Sequence, residues 1–283
     1  MNINWYPGHM KKTKESIKKN LTLVDIVYEL VDARIPISSQ NPDIDEIIGE
    51  KPRIKLLNKS DLADQNFNLE WQNYFKEKGI HSVLIDAVHS KGLKELLDLT
   101  YKLTENKRKQ LLRKGIKKRP IRIMILGIPN VGKSTLINSL SKRKGAKVGN
   151  KPGVTKANQW IKIKGDLELL DTPGILWPKF EDKEVGLNLA FTGAIKDELL
   201  DIDSLAVKLV ERLNLISSEY IKNRYKVEVD GKDPHDIIME IGKKRGAMIS
   251  GGEVDFSRVS SIIIDEFRKG KIGRITLERP VDL

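Results

Sequence analysis

Short apolar, β-branched runs alternate with stretches of helical periodicity along the first 177 residues. The runs are IVYELVDA (26–33), RIKLLNKSD (53–61), SVLIDA (82–87), IRIMILG (121–127), NQWIKIKG (158–165) and LELLDTPG (167–174). Helical spacing between them predicts segments near Asp43–Ile48, Leu69–Lys78, Gly92–Gln110 and Lys133–Ser141, and MKKTKESIKKN (10–20) reads as a short basic helix. Strands alternating with helices predict an α/β unit whose mostly parallel sheet is covered by helices on both faces. Ligands on such a sheet sit beyond the carboxyl ends of its strands. The last two runs lie too close together for a crossover and predict an antiparallel hairpin. After Trp177-Pro178 the strand signal fades. IDSLAVKLVERL (202–213), HDIIMEIGKKRG (235–246) and FSRVSSIIIDEFRKG (256–270) predict a second, all-helical domain over 178–283, following a first domain over 1–177.

A length of 283 residues accommodates two such domains. No apolar run approaches the ~18 to 20 residues of a membrane helix, and the opening residues show no charged segment followed by an apolar stretch. There are no cysteines, which excludes disulfides and zinc-thiolate sites and fits a reducing compartment. A cytoplasmic monomer without membrane contact is expected. The net charge of +12 changes the picture more. Lys plus Arg outnumber Asp plus Glu by 23 to 16 in residues 1–120 and by 10 to 3 in 121–177, whereas 178–283 carry 18 against 20. Two stretches concentrate the excess: Lys102 to Arg119, with nine basic residues and only Glu105 acidic, and Lys142 to Lys164, with eight basic and none acidic. Each alone reads equally as a solvated face. Together they point to a polyanionic partner, nucleic acid before membrane, because neutralised phosphates release counterions.

Candidate chemistry is concentrated in five places. Gly127-Ile128-Pro129-Asn130-Val131-Gly132-Lys133-Ser134 follows a predicted strand and opens a predicted helix, the context a phosphate-binding loop requires. Its backbone amides, with Thr135 just beyond, would wrap phosphates at the positive end of the helix. Lys133 would reach the β- and γ-phosphates, and Ser134 would bind Mg²⁺. Asp171-Thr172-Pro173-Gly174 ends the hairpin: Asp171 would hold Mg²⁺ through water, and the Gly174 amide would contact the γ-phosphate. Thr155 lies between these motifs and is the candidate switch threonine on Mg²⁺. Asn58-Lys59-Ser60-Asp61 ends another strand and suits guanine, since Asp61 can accept from N1–H and the exocyclic amine while Asn58 bonds N7 or O6. The Lys59 stem can pack along the base or its loop. Adenine would leave Asp61 unpaired, which is costly in a buried site. Ala87 ends the next strand and suits the loop whose amide contacts guanine O6. The expected ligands are GTP and GDP with Mg²⁺.

The order of these motifs is unusual, because the base-recognition loop precedes the phosphate loop. A site of this kind can survive joining the old termini and opening new ones elsewhere. With Trp5-Tyr6-Pro7-Gly8-His9-Met10 and Asp32-Ala33-Arg34-Ile35-Pro36 added, the chain resembles the circularly permuted P-loop GTPases, specifically the bacterial ribosome biogenesis GTPase A family, over nearly its whole length. That resemblance implies GTP hydrolysis during late maturation of the large ribosomal subunit. It also implies that the pre-subunit and its ribosomal RNA are partner and activator, and that the helical domain is related to RNA-binding modules. Asp86-Ala87 departs from the family's common Ser-Ala. The C-terminal domain is slightly acidic, so RNA contacts there would need local patches such as Lys243-Lys244-Arg245 or Arg268–Arg274.

Two residues have two readings each. Ile175 stands where many GTPases carry a water-orienting glutamine, so slow intrinsic turnover is expected. His9, a family histidine expected on an exposed turn, would either orient that water or grip RNA. Asn130 resembles the asparagine that holds K⁺ beside the phosphates in related GTPases, and reads equally as a loop-capping amide. Other partners remain open: a small subunit, or a protein or membrane signalling partner. The small-subunit relatives add an OB-like or zinc domain, and no such segment is visible here.

Overall fold

Helix α1 (Gly8–Leu21) leads into β1 (Ile26–Asp32), followed by α2 (Ile44–Ile48), β2 (Arg53–Asn58), α3 (Gln65–Glu77), β3 (Ser82–Ile85) and α4 (Leu93–Arg113). Then come β4 (Ile121–Gly127), α5 (Lys133–Leu140) and the hairpin of β5 (Trp160–Ile163) and β6 (Leu167–Leu170). This computed structural model describes residues 8–116, 119–141, 160–163, 165–170 and 182–282. The strands form one sheet in the order β3-β2-β1-β4-β6-β5. Neighbours run parallel except β5 and β6, which pair antiparallel with Ile163 opposite Leu167. The expected α/β sheet and its hairpin are therefore present; β4 matches its apolar run, and β1, β2 and β3 end one to three residues before theirs, where the runs continue into loops.

Every residue of β1 is buried, as a central parallel strand covered on both faces requires. Val27 and Tyr28 point to opposite faces. Val27 clusters with Ile17, Leu21, Ile44, Ile47 and Met124 beneath α1 and α2, while the Tyr28 hydroxyl lies 2.6 Å from the Thr100 hydroxyl of α4. A second cluster gathers Val31, Ala33, Leu57 and Ala63 around Trp71 and Phe75 of α3. Each large apolar side chain so buried contributes roughly 1.5–3 kcal/mol. Helix α3 begins four residues before its expected start, because the Asp64 carboxylate accepts hydrogen bonds from the Asn66 and Phe67 amides and caps the first turn. Two charges are also sealed in this layer. Lys55 Nζ lies 3.0 Å from Glu29 Oε1 and 2.5 Å from Gln40 Oε1, and burial lowers the Lys55 ammonium from its ordinary value despite Glu29 beside it.

The chain divides into two compact units, Asn2–Lys179 with Glu278–Leu283, and Phe180–Leu277. The sequence reading carried the helical domain through to residue 283. The difference lies in the last six residues, which return to the sheet unit, where the Trp71 indole N–H donates to the Glu278 carbonyl at 3.1 Å.

The second unit contains α6 (Lys183–Phe191), α7 (Ile202–Ile216), α8 (Glu219–Tyr225), α9 (Pro234–Arg245) and α10 (Phe256–Arg268). Asp182, Asp201, Asp233 and Asp255 cap α6, α7, α9 and α10 with side-chain hydrogen bonds to their first-turn amides. Leu205, Leu209 and Leu213 of α7 recur at a spacing of four and are buried with Ile237, Ile241, Ile263 and Phe267 of the other helices. Among the described residues, no helix is long and apolar enough to cross a membrane.

In the sheet, the chain moves outward from β1 through β2 to β3, then returns to place β4 on the other side of β1. That reversal opens a crevice at the carboxyl ends of β1 and β4. Strand register brings the candidate loops to this edge, with Asp32 beside Asn58, Asn58 beside Ile85, and Leu30 beside Gly127.

Candidate functional site

The loop leaving β4 turns sharply into α5 through Gly132. Gly132 takes φ +104, and a Cβ there would meet Asn58 Nδ2 at 2.2 Å. Only glycine permits this approach of the phosphate loop to the Asn58 loop. Asn58 uses the proximity: its Nδ2 donates to the Val131 carbonyl at 2.8 Å, and its Oδ1 accepts from the Ala87 amide at 3.2 Å. One buried carboxamide thus ties together three loops from three strands. The sequence reading assigned Asn58 to the base alone and missed this bracing role. Gly132→Ala is expected to weaken GDP binding about 10- to 100-fold, from the strain of a left-handed alanine and the displacement of Asn58. Titration with GDP, with the denaturation midpoint as a check on folding, measures this; wild-type affinity in a folded variant would refute the packing argument.

Lys133 opens α5, and its Nζ donates to the Gly127 and Ile128 carbonyls at 3.0 and 2.6 Å. The ammonium is therefore held inside the curl of its own loop, at the positive end of a helix whose first amides lack intrahelical acceptors. Ser134 is half-buried and Thr135 exposed in that first turn, and Val131 is buried. Asn130 is exposed with φ +57, a left-handed conformation that asparagine tolerates. This accounts for the residue type without an ion. The loop fits a polyphosphate, with the Lys133 ammonium inside its curl and the first-turn amides of α5 beside it. Of the expected Mg²⁺ ligands, Ser134 stands at the mouth of the cradle with a hydroxyl suited to a hard cation. Thr155, Asp171 and Gly174 lie outside the described residues.

The second loop is held as firmly. Lys59 takes φ +59, uncommon for a residue with a Cβ. Its Nζ donates to Asp32 Oδ2 at 2.9 Å, while the Ser60 amide and hydroxyl donate to the Ile85 carbonyl at 3.1 and 3.0 Å. Asn68 of α3 donates to the Ser60 carbonyl at 2.9 Å. Asp32 is itself buried and takes a two-pronged ion pair from Arg34, with Nε at 2.9 Å and a terminal nitrogen at 2.8 Å. Burial alone would raise the Asp32 carboxyl, but the Arg34 and Lys59 cations outweigh it and hold it well below the usual carboxylate range. The expected packing of the Lys59 stem along a base is thus joined by an anchor that only the fold reveals.

Asp86 departs from the common serine for a visible reason. Its carboxylate accepts from the His89 amide at 2.9 Å and meets His89 Nδ1 at 2.8 Å, shaping the turn that presents the Ala87 amide to Asn58. The Asp61 carboxylate, half-buried, lies within 4.8 Å of ligand atoms of Asp86 and His89. His9 lies in the first turn of α1, where the sequence suggested an exposed turn. The arrangement therefore sets an acceptor-bearing loop at Asp61 beside a polyphosphate cradle, as a guanine nucleotide requires.

Comparison with known proteins agrees. The ribosome biogenesis GTPase A of Priestia megaterium is 50% identical over 281 residues, covering 99% of this chain and 98% of that protein. The chain belongs to the ribosome biogenesis GTPase A family. The Thermotoga maritima ribosome biogenesis GTPase A is 32% identical over 284 residues, covering 99% of this chain and 96% of its own length. A GNP-bound YlqF structure from T. maritima superposes with a TM-score of 0.65 at 28% identity, covering 96% of this chain and all of that one. A GDP-bound YlqF structure gives 0.66 at 27% identity over 94% of this chain and all of that one. A family model described as 50S ribosome-binding GTPase matches residues 122–232. It starts at β4 and the phosphate loop and leaves out Asn58–Asp61, as circular permutation of a GTPase fold requires. This member of the ribosome biogenesis GTPase A family binds guanine nucleotides and hydrolyses GTP.

Proposed function

We propose that the chain is a GTP-dependent switch in assembly of the large ribosomal subunit, docking on its precursor through rRNA and hydrolysing GTP there. The observation that carries this reading is the exposed basic side of α4: Lys102, Lys107, Lys109, Arg113 and Lys114 are exposed along and just beyond the helix. Lys109 pairs with Glu105 and Lys107 with Asp25, but the run as a whole keeps a large positive excess, suited to a phosphate backbone. The second basic stretch lies mostly outside the described residues. The description of the matched family model, a 50S ribosome-binding GTPase, supports the same partner.

Within the site, Asp61 and Asn58 select guanine with Lys59 bordering it, and the Ala87 amide, which donates to Asn58 Oδ1 here, would turn to guanine O6 once the base is bound. The backbone from Asn130 to Thr135, with Lys133, cradles the phosphates, and the Gly174 amide contacts the γ-phosphate. Ser134, Thr155 and Asp171 hold Mg²⁺, which neutralises phosphate charge when bound. Asn130 is the candidate K⁺ ligand, and His9 the candidate for orienting the attacking water, with Ile175 unable to do so. The sheet unit, with residues 278–283 belonging to it, corresponds to a switch domain, and the helical unit Phe180–Leu277 to an RNA-binding domain. The protein acts as a cytoplasmic monomer.

Co-sedimentation with separated ribosomal subunits tests the partner. Expected is pelleting with large subunits in a non-hydrolysable GTP analogue, weak pelleting in GDP, and affinity that falls steeply with salt. Large subunits should also accelerate GTP turnover, and His9→Ala should reduce that stimulated rate at least ~10-fold at saturating subunits without loss of GTP affinity. Stimulation by small subunits alone would favour the small-subunit reading. Full turnover of His9→Ala at saturation would leave that residue as an RNA contact.

A further inference from the structure

We infer that Glu278 and Arg279, where the chain re-enters the sheet unit, are positioning residues for nucleotide retention, acting through the Asp32–Ser39 loop and α3 on the Lys59–Asp61 loop. The Glu278 carboxylate accepts from the Ile37 amide at 2.7 Å, from the Ser38 amide at 2.9 Å, and from the Ser38 hydroxyl. It closes the turn that begins at Asp32. Within that turn the Ser39 hydroxyl accepts from the Asp32 amide at 2.9 Å and donates to the Ile35 carbonyl at 2.6 Å. Asp32 links this turn to the next loop, since its carboxylate accepts from the Lys59 ammonium, and Lys59 holds a left-handed backbone conformation. A residue in that conformation persists only where its surroundings over-determine it.

A second route converges on the same loop from the other side. The Trp71 indole donates to the Glu278 carbonyl, and the Arg279 guanidinium lies 4.9 Å from the Phe67 ring. Trp71 and Phe67 belong to α3, which also carries Asn68, the donor to the Ser60 carbonyl. Lys59 and Ser60, the two residues between Asn58 and Asp61, are thus each gripped by an element that Glu278 or Arg279 clamps. Segment 278–282 follows the whole helical unit in sequence, so the base-recognition loop is supported by residues from both sides of that unit in the chain.

The inference rests on reading Asn58–Asp61 as the base selector. The test uses the full-length chain and the release rate of a fluorescent GDP analogue. Glu278→Ala is expected to release GDP about 10-fold faster than wild type, and Glu278→Gln by a smaller factor, because the amide oxygen still accepts but without charge. Hydrogen exchange at the Ile37 and Ser38 amides should rise in the same order, and a denaturation midpoint for each variant reports global stability. Were Glu278→Ala to misfold, the isosteric Glu278→Gln would still decide. Asp61→Asn separates the two ideas. If it leaves base preference unchanged, the base-selector reading fails and the inference falls with it. If it alters preference while both Glu278 variants release GDP at the wild-type rate despite faster exchange at Ile37 and Ser38, the relay itself is wrong and Glu278 only stabilises the fold.

Discussion

GTP and GDP are expected to bind at least ~10³-fold more tightly than ATP and ADP, a difference of about 4 kcal/mol. The magnitude follows from rigidity as much as from hydrogen-bond count. The Asp61 carboxylate can accept from both guanine N1–H and the 2-amine, and adenine offers neither. A mobile carboxylate would turn to water and lose little. Asp61 instead follows two residues pinned by Asp32, Ile85 and Asn68, so the loop cannot readily move it to another partner. Asp61→Asn should reverse part of the preference, because xanthine carries a C2 carbonyl that needs a donor and an asparagine amide provides one. Competition titrations with GDP, xanthosine diphosphate and ADP measure this directly. Equal affinity of the wild type for ADP and GDP would contradict the assignment of the loop to base selection.

Much of this site was legible before the fold was known, and the reason is local. A phosphate loop needs glycine at a turn between a strand and a helix, so its function is written in consecutive residues, 127 to 134. The same holds for Asn58–Asp61 at a strand end and for the short connection that forces β5 and β6 into a hairpin. Helices α6 and α8 lay within the predicted helical domain but were not picked out individually, because they span only nine and seven residues, about two to three turns each. The start of α3 was missed for a different reason. Asp64 is a recognisable cap, but the apolar periodicity that drew attention begins later, at Leu69.

What could not be read was the support of the site. Nothing adjacent to Lys59 shows that its ammonium belongs to Asp32, 27 residues earlier, and nothing near Ile37 announces a carboxylate 241 residues away. These pairs depend on register, which places Asp32 beside Asn58 at the edge of the sheet, and register is a property of the whole sheet. The Asp32-Ala33-Arg34-Ile35-Pro36 motif stood out in the sequence without a chemical role. The fold supplies one: a buried carboxylate neutralised by Arg34 that anchors the neighbouring loop. The same reasoning explains Asp86, whose acidity has less to do with the base than with the turn it builds over His89.

Lys133→Ala is expected to lower the rate of GTP hydrolysis at saturating nucleotide and Mg²⁺ by roughly 10²- to 10³-fold, the cost of removing one preorganised charge from a phosphoryl-transfer site, about 2.7–4 kcal/mol. The ammonium is already seated by the Gly127 and Ile128 carbonyls, so it needs no reorganisation when charge builds on the transferring phosphoryl group. Removing it takes away that stabilisation and also leaves two loop carbonyls without their donor, so GDP affinity should fall as well, though by less than the rate. Lys133→Arg should rescue poorly. A planar guanidinium does not fit the point where two carbonyls of one tight turn converge on a compact ammonium. Single-turnover hydrolysis with and without large ribosomal subunits separates the effects. If the subunit restores the variant to the wild-type rate, the essential charge comes from the partner and Lys133 serves to hold the loop. If the defect is the same fold in both conditions, Lys133 acts on the phosphates whatever the partner adds.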